Sequence, residues 1–342
     1  MRPFRLRSGD WVRCQSRVRS KCPSCAELYR GDWAAIARSG VFHPDVLLYR
    51  FYLLTLTAPS FGGVHRVPRA ETARGRRCGG GVVHSASDSG LRGVPLDPAS
   101  YDYAGQVAWN RDAGVLWDRT RRRLRDHWPS VELFLVREWQ DRGVLHVHVL
   151  VRIERGESPD PGLLRETSRT VEAFSGIDGA VVAWGAQADA KAFRADGDGA
   201  KTIWYLSKAL NYVMKDTATA GMNGSESNLA WGHQVRLTRA AREMRCSRDC
   251  VPWDCGSRVH DRFGSRSHVV SATRTTRARS GWSFTGLTRG LQRRMRAAWA
   301  AAWAQDAPAS EPGPAPEQVD RVVVARAYLL HQINVARAAV LP

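Results

Sequence analysis

The stretch that decides the fold runs from Val131 to Ile153. It reads VELFLVRE (131–138), WQDRGV (139–144) and LHVHVLVRI (145–153). Both flanks are rich in β-branched and aromatic residues, and Asp141-Arg142-Gly143 between them is a turn signal, so the segment predicts an antiparallel hairpin. Its second strand alternates. Leu145, Val147, Val149 and Val151 face one way; His146, His148, Leu150 and Arg152 face the other. A three-residue loop at 141–143 places Glu138 opposite His146 and diagonal to His148. Two histidines two positions apart on one strand face stand about 7 Å from each other, near enough to share a cation with the carboxylate. A lone His-x-His is more often a pair of hydrogen-bonded histidines. Glu138 in register is what raises the pattern to a candidate metal site.

Composition bounds the partner. The chain has 342 residues, 51 Lys+Arg against 33 Asp+Glu, a net charge of +18, and 46 Arg beside only 5 Lys. GC-rich coding is a competing source of such an arginine bias, yet a field of this size steers toward phosphates. With 43% hydrophobic residues and 13 Trp, the chain can bury a core, which excludes wholesale disorder. No apolar run reaches about 18 residues and no apolar leader follows the N-terminus, so the expectation is a cytoplasmic protein without a membrane segment. Seven cysteines cannot all pair, and point to metal or free thiols.

The remaining chain divides by composition. Residues 1–45 form a Cys-rich, possible zinc-binding segment, and 46–220 hold the strand at Phe51–Thr57, a glycine-rich loop over 62–100 and the hairpin. A helix over 113–127 puts Leu116, Trp117, Thr120 and Leu124 on one face and the run Arg121, Arg122, Arg123 toward solvent, as candidate DNA-backbone contacts. Residues 221–305 are a basic Cys/His-containing region of uncertain fold. Residues 306–342 read as a Pro/Ala linker and an amphipathic closing helix. The fold class is α+β: a central antiparallel sheet carrying the metal hairpin, flanking helices, a Cys-rich N-terminus and a C-terminal helical appendage.

A second constellation lies on a predicted helix over 201–215. Tyr205 and Tyr212 are seven residues apart and share a face, and each has a lysine three positions on, Lys208 and Lys215. A phenol, with an ordinary pKa near 10, needs such a cation or a metal-activated target to attack phosphorus. Tyrosines at this spacing are otherwise half-buried core.

Taken in order, LTLTAPSFG (54–62), Glu138 with His146-Val-His148, and the tandem Tyr-x-x-Lys resemble the HUH endonucleases that initiate rolling-circle replication, above all plasmid initiators of actinobacteria. Tyr101-Asp-Tyr103, Trp109-Asn110 and Leu116–Thr120 are similar to that family too. The resemblance implies a divalent cation, Mg²⁺ or Mn²⁺, on Glu138, His146 and His148. It also implies tyrosine attack on single-stranded or hairpin DNA at a replication origin, a 5′-phosphotyrosyl link, and a host helicase and polymerase acting afterwards. Two departures stand out. The family's paired tyrosines are usually four residues apart, so either Tyr212, whose Tyr-x-x-Lys-Asp context fits best, or Tyr205 is the nucleophile. Gly256–His260 and Phe263–Ser267 are a degraded form of the family's later motifs.

The cysteines add a structural-zinc expectation. Cys14, Cys22 and Cys25 supply three thiolates, two from a Cys-x-x-Cys turn, with Cys78 and His84 as candidates for the fourth ligand. Cys246, Cys250, Cys255 and His260 could form a second site, although their spacing is loose. Asp198–Thr202 lacks the glycine a phosphate-binding loop needs, and no helicase module is visible. Three readings compete with a replication initiator: a related HUH transposase, a non-catalytic zinc-containing DNA-binding regulator, and a non-haem iron oxygenase built on two His and a Glu.

Overall fold

The computed structural model describes residues 4–5, 11–12, 16–17, 19, 21–70, 77–195, 199, 201–203, 228–266, 268–277 and 279–306. Two-residue strands β1 (Phe4–Arg5) and β2 (Trp11–Val12) pair near the start of the chain. The main sheet is built from β3 (Tyr49–Thr57), β4 (Glu132–Trp139), β5 (Leu145–Glu154), β8 (Ala188–Phe193) and β9 (Val270–Ala272). Its order is β8-β3-β5-β4-β9, and every neighbouring pair is antiparallel. A small separate hairpin pairs β6 (Glu172–Phe174) with β7 (Val181–Ala183).

The central position of β5 follows from its sequence. Leu145, Val147, Val149, Val151 and Ile153 enter a core beneath α2 (Tyr103–His127), where Leu116, Trp117 and Leu124 meet them. Leu150 enters a second core on the opposite face, with Phe134, Val136, Phe51 and Ile36 of α1 (Pro23–Ser39). A strand apolar on both sides belongs in the middle of a covered sheet. Each leucine or valine fully removed from water there contributes about 1.5–3 kcal/mol. The helix expected over 113–127 starts earlier, at Tyr103, because the Asp102 side chain caps it by accepting from the Gly105 N–H at 2.8 Å.

The described residues beyond 220, which begin at Asn228, have definite structure. After α3 (Pro161–Arg169) and the small hairpin, α4 (Asn228–Glu243) packs across α2, and β9 adds the fifth strand beside β4. Trp282 lies fully buried between the sheet and α1, its indole N–H donating to the carbonyls of Ile36 and Ala37. Gly40 permits that approach, since a Cβ there would lie 2.3 Å from the indole ring. A last helix, α5 (Arg289–Asp306), returns to α1, and Arg296 pairs with the buried Asp32 at 2.6 Å.

Arg152 occupies the polar position of β5 that sequence alone leaves unexplained. It is fully buried and donates to the carbonyls of Gly40, Trp282 and Gly281 at 3.0, 2.7 and 2.7 Å, stacked 3.7 Å over the Phe284 ring. Burial pulls its pKa down to about 10, still charged at neutral pH. Residues 204–227, which contain Tyr205, Lys208, Tyr212 and Lys215, lie outside the described residues, as do Cys14 and the closing helix.

Candidate functional site

The hairpin has the register expected from its turn. Glu138 pairs with His146 and Val136 with His148. The Gln140 N–H donates to the Val144 carbonyl at 2.9 Å, and Gly143 takes a left-handed φ of 78° to close the loop. On its other side β5 meets β3, with Thr55 opposite His148 and Thr57 opposite His146. The two histidines therefore sit between a carboxylate and two hydroxyls, on the sheet face away from α2.

His148 is 3% exposed, with Nε2 3.2 Å from Glu138 Oε2 and Nδ1 3.1 Å from Thr55 Oγ1. The ring bridges the two strands beside it, with Nε2–H donating to the Glu138 carboxylate and Nδ1 facing the Thr55 hydroxyl. His146 stands edge-on to His148, ring centroids 4.5 Å apart, and the Gln140 amide approaches its Nδ1 at 3.4 Å. Burial, reinforced by the neighbouring His148 and Arg142, drives the His146 pKa down to about 3. Its imidazole is thus neutral, the form that coordinates a metal. The donor set fits a divalent cation. Two imidazoles and a carboxylate, donor types a divalent cation takes, lie side by side on this sheet face.

Tighter groups of potential ligands occur elsewhere among the described residues. The donor atoms of Cys246, Cys250, Cys255 and His260 lie within 4.8 Å of one another, and so do those of His65, Cys78 and His84. The hairpin set forms no third group of that compactness. Cys78 and His84, sequence candidates to complete the N-terminal zinc site, gather with His65 instead of with Cys22 or Cys25. His84 bridges His65 Nδ1 at 3.0 Å and Asp88 Oδ2 at 3.1 Å. The Cys78 N–H to Val82 carbonyl bond turns the chain back so that His84 nears Cys78, and His65 is pinned across the loop by its N–H to the Val94 carbonyl at 2.8 Å and by its carbonyl accepting from the Gly93 N–H at 3.2 Å. Cys22 occupies the N-cap position of α1 without a side-chain capping bond, and Cys25 is buried in the first turn. In the 246–260 group, burial opposes ionisation of Cys250, but hydrogen bonds from the Cys246 backbone, the two neighbouring thiols and His260 outweigh it and lower its pKa to about 7.

The arginine run divides. Arg121 lines a cleft of about 630 Å³ with Arg111, Arg125, Arg137, Arg274 and Arg279, on the α2 side of the sheet and so opposite the histidine face. Arg122 lines a smaller hollow beside Phe174, and Arg123 points to solvent. Sequence reasoning missed His65, Thr55 and Arg137. Only the β3 threonines carried a signal, as polar residues at alternate positions of an otherwise apolar strand.

Fold and charge together define a strongly basic α+β protein with a buried His/Glu hairpin and a cysteine-rich periphery. The chain belongs to the family described as "Replication initiator protein, pSAM2", whose model matches residues 9–337. It is similar to a "Replication initiator protein" of Streptomyces ambofaciens, 35% identical over an alignment 265 positions long that covers 66% of this chain and 56% of that relative. The chain thus spans just over half the length of the curated relative it matches. No solved structure matches.

Proposed function

We propose that the protein is a plasmid replication initiator of HUH type, which nicks and rejoins single-stranded or hairpin DNA at an origin by rolling-circle chemistry. The observation that carries this reading is the direct contact of Glu138 with His148, and His146 beside it, on one hairpin of an antiparallel sheet. Membership of a replication-initiator family supports the role. Glu138, His146 and His148 would hold Mg²⁺ or Mn²⁺, which when bound supplies charge to polarise a scissile phosphate. Tyr212, or Tyr205 as runner-up, attacks that phosphate, forming a 5′-phosphotyrosyl link and releasing a 3′-OH that primes synthesis. Lys208 and Lys215 neutralise phosphate charge, and the second tyrosine or reversal of the first step rejoins the strand. Host helicase and polymerase follow at the freed end in the cytoplasm, and no described helix is long and apolar enough to cross a membrane. Cys14, Cys22 and Cys25 are proposed structural zinc ligands.

The test is incubation with labelled origin DNA and a divalent cation, followed by mass spectrometry of the peptides. A phosphotyrosyl peptide from 201–215, lost in Tyr212→Phe, is expected. A DNA complex with no covalent adduct in any metal would instead establish the non-catalytic regulator. Strand transfer between unrelated target sites would establish a transposase.

A further inference from the structure

We propose that Cys246, Cys250, Cys255 and His260 bind a structural Zn²⁺ that ties the end of α4 to the loop clamping the hairpin turn. The proposal stands independently of the nicking chemistry. The distances carry it. Tetrahedral zinc with bonds of about 2.3 Å to sulfur and 2.0–2.1 Å to nitrogen has S···S edges of about 3.8 Å and S···N edges of about 3.6 Å. Cys246 Sγ lies 3.8 Å from Cys255 Sγ, and Cys250 Sγ lies 3.6 Å from His260 Nε2. A disulfide would need sulfurs about 2.05 Å apart, so the thiols are placed at ligand spacing and not at bonding distance.

The imidazole is oriented for the same role. His260 is 1% exposed, and its Nδ1–H donates to the Ala241 carbonyl at 2.5 Å, which leaves the Nε2 lone pair directed at the thiols. A ring fixed through its distal nitrogen by a backbone carbonyl is the usual support of a metal-bound histidine. Cys246 and Cys250 are each 3% exposed and Cys255 is half-buried, so two sulfurs and the His260 nitrogen meet away from water and the third closes the group at its rim.

The position in the fold gives the ion its consequence. Cys246 follows α4, and the Arg245 carbonyl accepts from Arg111 of α2 at 3.0 Å. Three residues past His260, the Phe263 carbonyl accepts from Asn110, the same amide that holds Gly143 in the hairpin turn. Zinc would cross-link this loop, which otherwise spans residues 244–266 with only a three-residue 3₁₀ turn.

The experiment is chelator-dependent alkylation of the full-length native protein, mapped by mass spectrometry, with zinc content measured on the same samples. Cys246, Cys250 and Cys255 should resist iodoacetamide as purified and become modified together once a zinc chelator is added, as about one zinc equivalent beyond any held at Cys22 and Cys25 leaves. The same equivalent should persist in Cys22→Ser/Cys25→Ser and be lost in Cys255→Ser. Protection unchanged by chelator would mean burial alone shields the thiols and overturns the site, as would a Cys246–Cys255 disulfide in the purified protein. If Cys255→Ser fails to fold, cobalt substitution of the unmutated chain decides: a tetrahedral thiolate–imidazole spectrum that builds in step with protection of Cys246, Cys250 and Cys255 from iodoacetamide is expected, and its absence overturns the proposal. Loss of nicking with zinc retained would bear on the hairpin and leave this assignment intact.

Discussion

Asn110 donates through its side-chain amide to the carbonyl of Gly143 at 3.0 Å, so a residue in the middle of α2 holds the tight turn of the hairpin. The same nitrogen donates to Phe263 at 2.9 Å, and the amide oxygen accepts from the Leu145 N–H at 3.0 Å. One fully buried side chain therefore joins helix, hairpin and C-terminal loop. Asn110→Ala strands an N–H and two carbonyls away from water, and each such group costs about 1–3 kcal/mol. Shared relaxation keeps the total below the sum, so a loss of about 3 kcal/mol is expected in urea unfolding. An unchanged midpoint would refute the clamp.

His146→Ala and His148→Ala are each expected to abolish covalent adduct while DNA binding persists, because affinity comes mainly from arginine–phosphate pairing elsewhere. Glu138→Gln should be milder, since the amide still offers an oxygen. Chelator should reproduce the histidine phenotype in the unmutated protein. Cleavage that resists both chelator and His148→Ala would remove the hairpin from the mechanism.

The buried His233 of α4 predicts an acid limb in stability. Its Nε2–H donates to the Arg142 carbonyl at 3.2 Å, and the Tyr103 hydroxyl reaches its Nδ1 at 3.4 Å, an arrangement for a neutral ring. Burial, with Arg236 nearby, lowers its pKa from 6.5 to about 4. Below pH 6.5 the unfolded chain takes up a proton that the native chain refuses until about pH 4. Stability should therefore be flat above about pH 7 and fall as pH drops from about 6.5 to about 4, by about 3 kcal/mol from this residue. His233→Gln should remove its share of that slope and leave the share of His146, whose pKa of about 3 acts over the same window. A profile as steep as the unmutated chain's would show that other groups cause it.

How far the sequence carries depends on the range of the interaction. The hairpin register, the faces of β5 and the buried face of α2 rest on periods of two and 3.6 residues and on one turn, all local, and they are legible. Arg152 is not, because its acceptors are the carbonyls of Gly40, Gly281 and Trp282, more than 100 positions away on either side. The grouping of His65 with Cys78 and His84, and the edge strand at Val270–Ala272, depend in the same way on chain returns that no local pattern encodes. A three-residue strand is also too short to show an alternation.

Arg152 yields a prediction of its own. Three carbonyls around one guanidinium match its forked donors, and the Phe284 ring covers its flat face. Arg152→Met leaves those acceptors unpaired, and about 3 kcal/mol of stability should be lost. Arg152→Lys should recover less than half of that, since a single ammonium nitrogen cannot reach all three directions or stack on the ring. Full rescue by lysine in thermal unfolding would mean that charge, not the fork, matters.

The arginine cleft on the α2 face gives the last prediction. Arg121 and Arg125 are one helical turn apart and both line it, whereas Arg123 points away to solvent. Burial, with the neighbouring Arg279 and Arg121, pulls the Arg125 pKa down, so like charges are held together with too few carboxylates to balance them. Asp118 pairs with Arg121 at 3.2 Å and Glu132 with Arg279 at 3.2 Å, which leaves net positive charge in the cleft for a phosphate to neutralise. If DNA backbone lies there, removing one phosphate-neutralising arginine lowers the slope of log affinity against log salt by about 0.9 for duplex or 0.7 for single strands. Arg121→Gln with Arg125→Gln should thus flatten the slope by roughly 1.4 to 1.8, whichever strand form is bound. Arg123→Gln, on the same helix but outside the cleft, should leave it within about 0.3 of the starting value. The pair and the single variant are compared because a general reduction of charge would lower all slopes in proportion to the charges removed. A slope that falls as much per residue in Arg123→Gln as in the cleft pair would show that the protein's net field, and not this cleft, meets the DNA.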